Sequence, residues 1–236
     1  MSFKAGDQTG GGDFTPQDAL AAGTYPGRLV QIVTMGLQPQ RAYQGQPKEA
    51  KESMYVGYEL SHEFMVDDDG NPDPTKPRWM GEDFPFYNLD ADRAKSTLRY
   101  TAIDPSVECG GDWEKILSWP CNITLSKELK KGKKDQYTNY VTHVAPAANM
   151  PGYVQPELVN EVRMFDIETP NMEVFKLLPK WLREKLTTNL NYNGSALQAA
   201  MGDTATAAEP APAQAAPQTA APPAPPAPTP PPAPAS

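Results

Sequence analysis

The sequence predicts a mainly β domain of five strands, with a helix after the third, further helices at its C-terminal end, and a non-globular segment on either side. Three observations carry this. Segments of alternating apolar and polar residues, rich in Val, Ile, Tyr and Phe, recur through much of the 236-residue chain; this is the period that turns one face of a strand toward a core. Clusters of Asp, Gly and Pro separate them and supply turn chemistry. From Gly202 to Ser236 the composition collapses to Ala and Pro, with twelve of the 27 prolines and no aromatic residue, Leu, Ile or Val. Such a segment has nothing to bury and is expected to be extended, disordered and solvated.

The elements follow in order. Residues 1–21 are Gly-rich and polar and read as a flexible arm; residues 22–201 are enough for one domain with a core. "GTYPGRLVQIVTMGLQ" (Gly23–Gln38) is rich in β-branched residues and reads as a strand bent near Gly27. "QPQRAYQGQPKEAKES" reads as a polar loop. In "MYVGYELSHEFMV", Met54, Val56, Tyr58, Leu60, His62 and Phe64 share one face of a second strand. "DDDGNPDPTKP" is a turn, and "RWMGEDFPFYNL" (Arg78–Leu89) a third strand that Pro85 places at an edge or an end. Asp90 is the expected N-cap of a helix over "ADRAKSTLRYTAI", which the Asp104–Pro105 pair stops. "DWEKILSW" reads as a short helix and Cys121–Ala145 as a β-hairpin. A short strand fits "EVRMFDI". "NMEVFKLLPKWLREKLTTNL" reads as an amphipathic helix pair with Val174, Phe175, Leu178, Leu182 and Leu186 as its stripe and Pro179 near a helix start.

Several function classes find no support. No basic-then-apolar leader and no apolar run of membrane-spanning length is present, so a cytoplasmic protein without membrane association is expected. Two cysteines, Cys109 and Cys121, imply no disulfide framework, and their spacing from His62 and His143 is not finger-like. Both histidines fall in strands, and no nucleophile motif accompanies them. Placing Gly70 of "DDDGNPD" at the sixth position of a calcium loop puts Met65 first and Lys76 twelfth, where oxygen donors are needed. "TGGGD" lacks the lysine of a phosphate loop, and the pairs Glu82/Asp83 and Asp90/Asp92 read as caps and solvated faces. The expectation is a protein that is not an enzyme, with no metal site and no cofactor.

One stretch departs from this bland surface. The chain has a net charge of -8, yet "KELKKGKKDQYTNYVTHVAP" opens with five lysines against one Glu in eight residues. The lysines, Lys127, Lys130, Lys131, Lys133 and Lys134, fall at a hairpin tip, and Tyr137 and Tyr140 follow on the returning strand. Standing three apart, these two rings are expected on opposite faces of the strand, so that at most one is expected to stack on a base. The polar loop between the first two strands adds Arg41, Lys48 and Lys51 with Tyr43, and Tyr55 and Trp79 complete the aromatic candidates. Cations beside exposed rings suit single-stranded nucleic acid: lysines contact phosphates, and ring faces stack on unpaired bases. Net acidity does not oppose this, because screening leaves the local field to decide binding.

Five strands with a helix after the third also resemble the OB-fold, a five-stranded β-barrel that binds oligonucleotides beside its first–second and fourth–fifth strand loops. "GTYPGRLVQIV", "YVGYELSHEF", "RWMGEDFPFYNL" and "WPCNITLSKELKKGKKDQYTNYVTHVAP" resemble, in pattern and spacing over residues 22–192, the single-stranded-DNA-binding proteins of tailed-bacteriophage replication modules. The resemblance implies a single-stranded-DNA partner, replication or recombination proteins as further partners, and host cytoplasm as the location; a homo-oligomer is left open. It departs from that group in its tail, where Asp203 and Glu209 are the sole charges in place of an acidic terminus. Two other readings stand beside it: a virion- or scaffold-associated β protein with solubilising lysines, and an inhibitor that imitates nucleic acid.

Overall fold

In a computed structural model the described residues are 17–148 and 151–202. The expectations for residues 1–16 and for the Ala/Pro tail from residue 203 lie outside them. The order is β1 (Gly23–Tyr43), β2 (Gln46–Val66), β3 (Pro72–Pro85), α1 (Lys95–Ile103), β4 (Pro120–Leu129), β5 (Tyr137–Pro146), β6 (Arg163–Phe165), α2 (Met172–Leu177), α3 (Lys180–Thr187) and α4 (Ala196–Met201). The protein is mainly β, as the alternation predicts. Gln17, inside the segment read as an arm, exchanges hydrogen bonds with the Val66 backbone, and the Leu20 backbone does the same with the Asn139 amide.

The sheet differs from the closed barrel that was expected. Six strands form an open sheet in the order β3-β2-β1-β4-β5, with β6 added to β1. All pairings are antiparallel except β1 with β6. β3 and β5 approach each other but share no ladder. The reason lies in α1, which packs on both edges. Its Arg99 donates to Glu82 of β3 at 2.6 and 3.2 Å and to the Thr142 carbonyl of β5 at 3.2 Å. A β5 carbonyl at the gap is thus taken by a side chain.

β1 is long enough to serve two neighbours along one edge. Gly23–Arg28 pairs with β4, and Gln31–Val33 pairs with β6. A register shift against β2 between Leu29 and Gln31 marks the bend, slightly beyond the expected Gly27. Gly27 answers a different need: a Cβ there would lie 2.6 Å from the Glu59 carbonyl oxygen and from Ile123 Cδ1. The two faces of β1 feed two cores. Leu29 and Ile32 join Val56, Tyr58, Leu60, Tyr100, Ile116 and Ile123 under α1. Val33 and Met35 meet Phe165, Phe175, Leu178, Leu182 and Leu186 under the C-terminal helices. The amphipathic pair forms as α2 and α3, with Asn171 capping α2 through Glu173 N–H.

Other expectations need correction. The polar loop of residues 38–53 is an antiparallel arm, in which β1 and β2 stay paired to Tyr43 and Gln46. Gln44 and Gly45, with φ of 51° and 79°, make the two-residue turn that joins them. β3 starts at Pro72 and ends at Pro85, six residues earlier at its start than Arg78 would put it. The inward alternation of β2 ends at Leu60, because the ladder to β3 shifts between Glu59 and Phe64, and His62 is exposed. Asp90 does not cap α1, which starts at Lys95 behind Ala94 without a side-chain cap. "DWEKILSW" forms turns rather than a helix, burying Trp113 and Ile116. Asp67 folds the β2–β3 turn onto itself by accepting the Asp69 and Asn71 N–H groups at 3.0 and 2.8 Å.

Candidate nucleic-acid interface

The β4–β5 hairpin closes through Lys130 N–H to the Gln136 carbonyl at 2.7 Å and Lys133 N–H to the Lys130 carbonyl at 3.0 Å. Gly132 supplies the positive φ of 78° that this turn requires. The turn holds Lys130, Lys131, Lys133 and Lys134 out in solvent, and Lys127 Nζ stands 4.9 Å over the Tyr137 ring. Among the described residues none of these five lysines is in an ion pair. Tyr137 and Tyr140 are both exposed, at 46% and 53%. At most one of the pair was expected to be available for stacking; both are exposed, because the covered part of β5 begins only at Val141.

The unclosed seam between β3 and β5 opens into a groove. One cavity of about 630 Å³ is lined by Tyr55, Arg78, Trp79, Lys130, Tyr137 and Trp181, among others. A second, of about 900 Å³, is lined by Arg41, Lys48, Lys95, Tyr140 and Lys185. Gly81, Glu82, Asp83 and Asn139 line both, so the two are halves of one trough along the β3 edge.

Carboxylates on that shared floor would repel phosphate if left bare. They are not bare. Glu82 is held by Arg99 and by Lys95, each at 2.6 Å, and accepts the Tyr58 hydroxyl at 3.2 Å. Asp83 is paired with Lys185 at 2.6 Å. The banks of the trough therefore set its sign, and they carry Arg41, Lys48, Arg78 and Lys130.

Aromatic placement divides the candidates. The Tyr55 ring lies across Gly81, where a Cβ would collide with it, and meets the Trp181 ring edge-on at 5.4 Å and 75°. Burial, helped by the charge of Asp83, pushes the Tyr55 phenol up to about 12. Tyr55 is thus a support for Trp181 more than an open platform. Trp79 has one face occupied by the Arg163 guanidinium, 5.0 Å from the ring centroid. Trp181, 46% exposed, is the ring that sequence reasoning missed. Its signal was a large aromatic just off the Leu178–Leu182–Leu186 stripe, one turn before Lys185.

The groove brings together Arg41, Lys48, Tyr55, Trp79, Lys130, Tyr137 and Tyr140. Lys127, Lys131, Lys133 and Lys134 stand on the hairpin beside it without lining it. Lys51 turns elsewhere, 5.5 Å over the Tyr87 ring. The Tyr43 backbone pairs with Gln46 at the arm tip, and its side chain lies outside the description. His62 contacts the Tyr153 hydroxyl at 3.2 Å, and both cysteines are free thiols. Among the described residues no three His, Cys, Asp or Glu side chains are grouped to hold a metal, and no helix is long and apolar enough to cross a membrane. No protein-family model matches this chain, and no curated protein or solved structure matches it either.

Proposed function

We propose that this protein binds single-stranded DNA in the β3–β5 groove, without catalysis and without strong sequence preference, as a component of a phage replication or recombination module. The observation that carries the reading is the trough itself: cations on both banks, exposed rings along it, and floor carboxylates already neutralised. Lys130, with Lys127, Lys131, Lys133 and Lys134 on the hairpin, and Arg41 and Lys48 on the arm contact phosphates. Lys51 contributes to the field from the arm's far side. Tyr137, Tyr140 and Trp181 offer ring faces to bases, Trp79 offers its one open face, and Tyr55 backs Trp181. The strand order, with β1 between β2 and β4 and α1 at the seam, supports an OB-like arrangement opened along β3–β5.

Stacking needs unpaired bases, so the groove discriminates against duplex. Phosphate contact on single strands makes affinity fall with salt, with a log–log slope of about -0.7 per contact. About five contacts give a slope near -3.5. Titrating labelled oligo-dT across salt concentrations, with poly-U and duplex alongside, measures both properties. A slope near zero, or duplex binding as tight as oligo-dT, overturns the reading and favours the virion or inhibitor alternatives.

A further inference from the structure

A second concavity, of about 480 Å³, lies between β1, β2, β6 and the turns that follow α1, and it shares only Ser53 with the groove lining. Its floor is apolar, with Ile32, Met54, Trp113 and Ile167 buried; Phe86 and Met164 stand at its lip, 45% and 36% exposed. Its other lining side chains include Glu52, Asp112, Glu114, Asp166 and Glu168, and no Lys or Arg is among them. Asp112 is paired with Lys115 at 3.1 Å, and Asp166 accepts the Thr34 hydroxyl at 2.9 Å. Glu52, Glu114 and Glu168 are exposed and have no cation partner among the described residues.

We propose that this cleft docks a protein partner through a short segment in which an aromatic or aliphatic side chain is flanked by lysine or arginine. Charge complementarity selects that occupant. An apolar side chain entering the cleft covers the Phe86 and Met164 surface, and flanking cations meet Glu52, Glu114 and Glu168 at the rim. Nucleic acid is repelled by Glu52, Glu114, Asp166 and Glu168, which no cation among the described residues neutralises. A purely apolar or acidic segment would approach them without compensation, which costs free energy. The volume falls within the roughly 300–1,000 Å³ of ordinary ligand pockets. This surface is independent of the groove, so its occupant does not depend on DNA binding.

The test uses the full chain and two capped peptides, Lys-Phe-Lys-Leu-Lys and Lys-Ser-Lys-Ser-Lys, at physiological salt. Amide chemical-shift mapping should place the first peptide on the cleft lining. The serine peptide should bind about tenfold or more weakly, because charge alone is screened at this salt. Glu52→Gln, Glu114→Gln and Glu168→Gln together should cost the first peptide about tenfold in affinity with an unchanged Tm, since exposed carboxylates contribute little to folding. Equal binding of the two peptides, shifts scattered over the acidic surface, or undiminished affinity in the triple variant would overturn the proposal. Concentration-dependent self-association in sedimentation, lost in the triple variant, would also overturn it, because the occupant would then be a second copy.

Discussion

Tyr137 and Tyr140 show what a single residue's neighbours decide. Their spacing fixes opposite faces, but burial depends on whether a layer covers each face, and at this end of β5 neither is covered. Both are therefore expected to stack. Tyr137→Ala and Tyr140→Ala should each weaken oligo-dT binding by about 1–3 kcal/mol while Tm stays put. A large fall in Tm for either would mean that the ring packs on the domain. Replacing Lys130, Lys131, Lys133 and Lys134 by Ser should make the salt slope shallower by up to about 3. The lysine run was legible because charge at a turn needs no tertiary information. Trp181 was not, since its exposure depends on Tyr55 standing beneath it. Cys121 makes the complementary point. It is buried, and burial pushes its thiol up to about 12, so it has almost no thiolate at neutral pH. A disulfide-exchange reagent should leave it unmodified until the protein is unfolded; rapid modification of both cysteines in the native protein would contradict the packing.

At the scale of elements, the seam rests on one side chain. Arg99 and Glu82 are each 5% exposed, and Arg99 joins α1 to β3 and β5 at once. Arg99→Met leaves the buried Glu82 with only the half-exposed Lys95 and the Tyr58 hydroxyl, and removes the link to β5, so it should cost up to about 3 kcal/mol in chemical denaturation. Adding Glu82→Gln should recover part of that loss, because a neutral amide in place of the buried, now under-compensated carboxylate costs less to desolvate. Additive losses in the double variant would show that the two do not act as a pair. This pairing explains why the open seam was illegible. Strand alternation reveals faces, whereas closure depends on one long-range ladder and on what competes for its carbonyls. The arm was hidden for a different reason: from Gln38 to Glu52 most side chains are exposed, so no apolar period marks the strands. The hairpin Cys121–Ala145, with Ile123, Leu125, Val141 and Val144 facing the core, was legible because one face is buried and the other wet.

For the whole molecule, acidity and nucleic-acid binding are reconciled by segregation: the hairpin tip holds lysines outside any ion pair among the described residues, the arm adds further cations, and the second cleft holds unneutralised carboxylates. The mainly β class and the amphipathic pair α2–α3 could be read from local pattern; the start of α1 and the assignment of each β1 face to a separate core could not, the latter because it requires knowing where the C-terminal helices return. That two-core build leads to a pH prediction. Burial raises the Tyr55 and Tyr100 phenols to about 12 and the Tyr58 phenol well above its ordinary value, with neighbouring carboxylates adding to each. Tyr55 lies on the face of the C-terminal helices, while Tyr58 and Tyr100 lie in the core under α1. Unfolded phenols lose their protons near pH 10, whereas the folded protein retains these three, so above that pH the native state binds more protons. The contribution of Tyr55 and Tyr100 to stability is complete below about pH 10 and is lost as pH rises through about 12. Denaturant unfolding measured at intervals from pH 8 to about pH 12 should therefore show stability falling from about pH 10 upward. Lysine deprotonation occurs in the same range, so Tyr55→Phe serves as the reference. Without that phenol the decline should be shallower, by at most about 2–3 kcal/mol when the two-unit shift is fully expressed. Parallel declines in the two proteins would mean that Tyr55 titrates as freely in the fold as out of it, and the Tyr55–Gly81–Trp181 packing that supports the groove would have to be abandoned.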